Sequence, residues 1–322
     1  MASRFASRRR PRRFSLALLV PLLACGIARG DVSVTFLYRL SDFGGRVDLN
    51  QPALAPDREH GELLAVQGST VRIFGPSGMV VHEFEHDREE RGALSGVAAL
   101  EGGDILLLAR HWDPETGQTH PLLTRCDYRG TPRESFGIEG LPEHLGDFFP
   151  DVMRVRGGRL FLAGLSRGWV VETDLDGRFR QAWDLIRLLG DEETREVDLE
   201  LADFDVDAAG TFYVTVPAVG VGYRVPPGGP PEPFGEGTSG RGALGVARGV
   251  AVTDRGWVLV ADILNQLVLV FDENLRFLTD FPRSGRGQER LLGPVSVVVD
   301  GDRVYVGEVG ERGVAVFLIA PR

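Results

Sequence analysis

Four places in this 322-residue chain carry side chains suited to chemistry. His82-Glu83-Phe84-Glu85-His86 satisfies H-E-x-x-H, in which a helix brings two imidazoles onto one zinc ion and a glutamate serves as base. The stretch from Arg110 to His120 gathers Arg110, His111, Trp112 and His120, a cation, an indole and two imidazoles that could grip a ligand. His144, Phe149 and Asp151 end a second polar and aromatic stretch that begins at Gly137. Asp262 and Asn265 place an acid and an amide three residues apart.

The elements that must position these groups remove two of the four. Met79-Val80-Val81, before the histidine motif, is apolar and largely β-branched and follows Gly78, which predicts a strand. On a strand the two histidines lie about 13 Å apart at ~3.3 Å per residue, so one ion cannot take both. The expectation is a strand end with its histidines at a solvated tip. Asp262 and Asn265 follow a strand pattern and read as turn residues whose side-chain oxygens accept backbone N–H groups. No nucleophilic triad, phosphate loop or cysteine-rich metal site appears, so no cofactor or metal is expected, and Gly235 to Gly240 reads as a linker.

The strand patterns repeat. Gly249 to Phe271 recurs 46 residues later, placing Val258, Val260, Asp262, Val270 and Phe271 on Val304, Val306, Glu308, Val316 and Phe317. Weaker copies upstream give second-strand residues Val66, Leu108, Leu162, Val214, Val260 and Val306, and third-strand ends at Phe74, Cys126, Thr173, Val225, Phe271 and Phe317. The separation within these pairs is 11 residues in the last four copies, and an aromatic follows 10 residues after the third-strand end at Phe84, Phe136, Trp183 and Phe281. Gly78, Gly130 and Gly177 fall in that gap, where a hairpin needs positive φ.

Val258-Leu259-Val260-Ala261-Asp262 and Asn265 to Phe271 resemble the NHL repeat, strongly from about residue 200 onward and as pattern before about 150. That resemblance implies an all-β, six-bladed propeller of four-stranded blades. The last copy lacks room for its fourth strand, and the alternating Val32-Ser33-Val34-Thr35-Phe36-Leu37-Tyr38 is expected to supply it from the other end of the chain.

In a propeller the loops between second and third strands open on the same face as the blade-to-blade connections. Copy two lengthens such a loop by seven residues, the Arg110 to His120 stretch, which reads either as a ligand-binding loop or as a solvated hairpin with Trp112 packed on the next blade. Asp184 to Leu199 reads as a short amphipathic helix, either a lid or a cap on the core.

All 36 basic residues are arginine, against 46 acids. Six of those arginines precede the apolar run Phe14 to Ala24, the order of a secretory signal of the Sec type, and the run is too short to span a bilayer. Residues 1–30 are therefore expected to be a signal peptide and 31–322 the propeller. Two cleavage readings stand, a lipoprotein box at Leu22-Leu23-Ala24-Cys25, with Cys25 lipidated, and an ordinary site at Ala28-Arg29-Gly30. Cleavage before Cys25 leaves 30 arginines and 46 acids, a net charge of −16, which argues against nucleic acid or anionic lipid as a partner. It also leaves Cys126 without an intramolecular partner. Any membrane attachment would come from the lipid alone.

The functional expectation is an exported, periplasmic or lipid-anchored binding module that recognises a protein, peptide or glycan through Arg110, His111, Trp112, His120, His144, Phe149 and Asp151. The alternative is a metal-assisted hydrolase or lyase that uses some of His111, His120, His144 and Asp151. Oligomeric state is not legible. The N-terminal expectation is tested by mass analysis of the exported protein, which should show a lipid-modified chain starting at Cys25; an unmodified chain starting at Asp31 would contradict it.

Overall fold

Period-2 alternation produces strands, and strands covered on both faces must stack. The computed structural model describes residues 32–190, 199–237, 240–282 and 287–322, which form six four-stranded antiparallel sheets. The expected signal peptide and Cys25 lie outside the described residues. Blade 1 comprises Ala53–Asp57, Glu62–Gln67, Thr70–Phe74 and Val80–Glu85. Blade 2 comprises Ala93–Ala99, Ile105–Asp113, Gln118–Cys126 and Pro132–Phe136, and blade 3 Val152–Arg156, Arg159–Gly164, Trp169–Thr173 and Phe179–Asp184. Blade 4 has Asp203–Val206, Phe212–Val216, Val221–Val225 and Glu232–Phe234, and blade 5 has Ala247–Val252, Val258–Asp262, Leu267–Phe271 and Phe277–Phe281. Blade 6 takes Pro294–Asp300, Arg303–Glu308 and Val314–Pro321, and its fourth strand is Val32–Arg39.

The first strand of each blade touches the first strands of both neighbours, and blade 6 meets blade 1, so six first strands make a closed inner ring. The core is divided accordingly into six apolar wedges, one between each adjacent pair of blades. Outer aromatics join the wedges. Phe234 of blade 4 packs on Phe271 of blade 5 with centroids 5.1 Å apart, and Phe281 of blade 5 packs on Phe317 of blade 6 at 4.8 Å. Phe84 of blade 1 covers Gly130 of blade 2 so closely that a Cβ there would lie 2.3 Å from the ring, and Tyr38 covers Gly78 in the same way. These turns thus need glycine both for φ near +80° and for the neighbouring ring.

Val32–Arg39 pairs with Val314–Pro321 in the register Phe36 to Phe317 and Arg39 to Ala315, with a bulge at Leu37. Its inward side chains Val32, Val34 and Phe36 pack on the wedge between blades 5 and 6. Arg39 forms an ion pair with fully buried Glu308 and donates to the carbonyls of Gln288, Arg290 and Arg312. Losing this strand exposes the backbone edge of Val314–Pro321 and several apolar side chains, which at ~25 cal/mol per Å² amounts to several kcal/mol out of a typical ~5–15 kcal/mol. A chain that begins at Ser41 should therefore aggregate or melt well below one that begins at Asp31. Equal melting temperatures would show that the strand contributes nothing to closure.

Candidate functional site

The inserted residues of blade 2 do not form a loop. They lengthen the second and third strands to nine residues each, with Arg110 opposite Pro121, His111 opposite His120, Trp112 opposite Thr119 and Asp113 opposite Gln118. The Asp113 carboxylate closes the turn by accepting the Glu115 N–H at 2.8 Å and the Thr116 hydroxyl at 2.8 Å, and these bonds hold its pKa below the ordinary range. Alternation sends Arg110 and Trp112 to one face of the hairpin and His111, His120 and Asp113 to the other. The His111 and His120 rings lie 5.0 Å apart, edge on. Trp112 is 58% exposed, so it is not packed on the next blade, the alternative raised by the sequence.

At the base of the hairpin Arg110 donates to Asp151 at 2.6 Å and lies over the Phe149 ring, 4.7 Å from its centroid. The other Asp151 oxygen accepts the Leu165 N–H at 3.0 Å and so anchors the pair to blade 3. Phe149 in turn shares a cavity of about 190 Å³ with His144, whose ring lies 5.7 Å from that of Trp169. Arg110, Phe149, Asp151 and His144 are thus brought together. His111 and His120 face away from Arg110 on the same hairpin. Asp184 caps the helix Leu185–Leu189, whose Leu185 and Leu189 are buried, so this helix caps the core, while residues 191–198 of the expected segment lie outside the described residues.

The histidine motif lies on strand Val80–Glu85 as expected, but one detail differs. His86 is only 7% exposed, because the connection to blade 2 folds over it, and burial with the nearby Arg91 charge pushes its pKa down. His82 stacks on Tyr128 of blade 2 at 5.6 Å. Asp262 acts structurally, as expected: its carboxylate accepts the N–H groups of Gly245, Val246, Leu264 and Asn265. Among the described residues no three His, Cys, Asp or Glu side chains are grouped to hold a metal ion.

A second feature of this face was missed by sequence reasoning. Three inner strands carry a bulge near their starts, at Ser95, at Arg248-Gly249 and at Val295. A bulge re-aims side chains, and here the three surround the mouth of the axial channel. The mouth is a cavity of about 270 Å³ lined by Gln51, Ser95, Arg154, Asp203, Arg248 and Ser296 among apolar residues. Gly249 is obligatory there, since a Cβ would stand 2.8 Å from the backbone of Ser296 and Val297 in blade 6.

Behind the mouth, blades 3, 4 and 5 are tied by two carboxylates. Asp203 accepts from Arg154 at 3.0 Å and from the N–H groups of Phe204 and Val250. Asp205 accepts from Arg156 at 3.2 Å and from the N–H groups of Val206 and Val252.

No protein-family model and no curated protein sequence matches the chain. Solved structures do. Virginiamycin B lyase from Staphylococcus aureus superposes with a TM-score of 0.52 at 10% identity, covering 91% of this chain and 89% of that one. The hydrazine synthase of Kuenenia stuttgartiensis gives 0.54 at 14% identity, with 84% of each chain covered. The PQQ-bound aldose sugar dehydrogenase of Streptomyces coelicolor gives 0.54 at 14% identity, with 90% and 99% covered. The fold is a six-bladed β-propeller. Among these neighbours it carries a lyase and a dehydrogenase, and at such identities likeness extends to architecture alone.

Burial pushes the Asp203 carboxyl up to about 6, against the pull of Arg154 and of the Val250 and Phe204 N–H groups. The unfolded chain releases that proton near pH 3.9, about two units lower. The stability this group contributes is therefore full in acid and lost as pH rises from about 4 through about 6, a swing on the order of 3 kcal/mol. Denaturant midpoints of the protein and of Asp203→Asn should show the parent losing ground to the variant across that window. A gap that moves the other way would mean an ionised carboxylate held below its ordinary range.

Proposed function

We propose that this chain is an exported, NHL-like propeller that works as a binding module, recognising a protein, peptide or glycan in the cell envelope through its loop-rich face. The carrying observation is Trp112. A large aromatic left exposed at the end of a β-hairpin, itself clamped by Arg110 on Asp151 and Phe149, offers a contact surface that needs little ordering on binding. Aromatic and arginine side chains on rigid supports are the usual anchors of interfaces.

Support also comes from the division of labour across the fold. Asp262 and Glu308 are occupied with backbone groups and arginines, which leaves the elongated hairpin and the 137–151 connection as the variable parts of a regular frame. The NHL-like spacing of the repeats fits this reading, and the acidic balance of the mature chain favours envelope partners over nucleic acid. Lipid attachment through Cys25 would keep the module at a membrane surface.

The test compares species retained from envelope extracts by the immobilised protein and by Trp112→Ser. Trp112 makes no core contact, so the variant should melt within about 0.5 kcal/mol of the parent. It should nevertheless bind the retained partner on the order of 30-fold more weakly, the loss expected of an aromatic anchor. Retention of the same species with unchanged affinity would rule out this face of the hairpin as the contact.

A further inference from the structure

Two of the six histidines face each other across the blade 2 hairpin. His111 and His120 are directly opposite residues of neighbouring antiparallel strands, which sets their Cβ atoms about 5 Å apart. Both side chains are half-buried, and among the described residues none of their ring nitrogens has a hydrogen-bond partner or is shut away from solvent. Their polar neighbours Arg110, Asp113 and Thr116 are all engaged within the protein, so the two imidazoles are the groups this hairpin leaves unused.

Their separation is what a shared metal ion requires. A divalent transition ion takes an imidazole nitrogen at about 2.0–2.1 Å, and that nitrogen lies about 1.1 Å from its ring centre, so each ring centre sits about 3.2 Å from the ion. With about 90–110° between ligands, as in square-planar or tetrahedral sites, the two ring centres are about 4.5–5.2 Å apart. The centroids of His111 and His120 are 5.0 Å apart. The rings are inclined to each other by 61°, which is no obstacle, because turning a ring about its metal–nitrogen bond leaves the ion in place and half-exposed rings can rotate at χ2 to aim a nitrogen.

The surroundings suit a cation. Alternation puts Asp113 on the same face, and the Thr116 hydroxyl and Glu115 N–H that hold its pKa below the ordinary range keep it negative. Arg110 points from the other face with its charge matched by Asp151, and Arg91 in the adjoining connection is paired with Glu90. That connection also fixes the root of the pair, since a Cβ on Gly92 would stand 2.7 Å from the His111 Cα. The other histidines offer nothing comparable: His60 is bonded to Asp57 at 2.8 Å, and His82 stacks on Tyr128 while His86 is buried.

We infer that His111 and His120 form a two-nitrogen chelate for a divalent transition ion that favours imidazole, Zn²⁺, Ni²⁺ or Cu²⁺, on the face of the hairpin opposite Trp112. Hard ions such as Mg²⁺ and Ca²⁺ prefer oxygen and are excluded by this donor set. Among the described residues no third His, Cys, Asp or Glu completes the set, so the remaining positions of the ion belong to water and are open to a donor atom from a second molecule. The site does not depend on Trp112 making any contact.

The experiment is a calorimetric titration of the untagged protein with zinc, nickel and copper(II) chlorides, and with magnesium chloride as the control. Zn²⁺ and Ni²⁺ should bind, Cu²⁺ more tightly than either, and Mg²⁺ should not. His111→Gln and His120→Gln should each weaken Ni²⁺ by at least about tenfold, because one remaining nitrogen forfeits the intramolecular second bond. The double variant should be little weaker than either single one. His60→Gln and Trp112→Ser should leave the affinity unchanged. Melting temperatures without metal check that each variant is folded, and saturating Ni²⁺ should raise that of the parent but not that of the His111 or His120 variants. Electron paramagnetic resonance of the parent with substoichiometric Cu²⁺ should show coupling to two imidazole nitrogens, and to one in either variant.

Failure of all three ions to bind the parent, or unchanged affinity in folded His111→Gln or His120→Gln, would overturn the inference. Loss of binding in His60→Gln alone would overturn it as well, by moving the ion to Asp57 and His60. Either failure leaves the reading of Trp112 as a contact untouched, since that rests on the other face of the hairpin.

Discussion

An inner ring of strands that fan out around an axis cannot hydrogen-bond to one another as a sheet, yet each keeps a backbone edge turned toward its neighbours. Buried N–H groups left on those edges would cost on the order of 1–3 kcal/mol each. Between blades 4 and 5 the solution is two carboxylates. Asp203 and Asp205 accept from Val250 and Val252 across the gap, and their remaining acceptor capacity takes Arg154 and Arg156 from blade 3. A carboxylate alone in that position would be expensive; the arginines offset its burial and fix three blades in one register. The same four side chains line the axial channel.

The outer rim meets the same constraint with apolar groups. Phe84 over Gly130, Tyr38 over Gly78 and Phe281 against Phe317 are contacts in which the outermost strand of one blade covers a neighbour. Among blades 3, 4 and 5, polar bonds near the axis and rings near the rim hold adjacent blades at both ends of the wedge. That rigidity is what makes a protruding hairpin useful as a contact, since its base at Arg110, Phe149 and Asp151 is fixed to two blades at once.

The blades were legible because alternation and turn glycines are local properties. Val258 to Asp262 and Gly130 announce their elements with no knowledge of their neighbours. The hairpin of blade 2 was legible as extra length, with a binding loop and a solvated hairpin both left open, since Asp113-Pro114-Glu115-Thr116-Gly117 is rich in turn formers while the pairing of Trp112 with Thr119 depends on cross-strand contact. His86 was misplaced for a similar reason, being covered by a segment whose course its own sequence does not specify. The axial mouth was hidden altogether. Asp203-Phe204-Asp205-Val206 alternates like a half-exposed strand, and only the ring turns its acids into the most buried charges of blade 4. Bulges at Ser95, Arg248-Gly249 and Val295 leave no mark a period of two can reveal, beyond the glycine beside Arg248.

Closure by Val32–Arg39 also imposes an order on biosynthesis. Ser33 and Ala320, joined by a hydrogen bond, are 287 residues apart. Translation delivers the first partner of this pairing 287 residues before the second, so the strand must wait through the synthesis of everything between them with its alternating apolar face unmatched. Contacts so distant in sequence make ring completion the slowest kind of topological step. A chain that stops short of Val314 is left with an open ring and an unpaired strand edge at Val32–Arg39. An open ring is thus told from a closed one by backbone edges that only the open form presents.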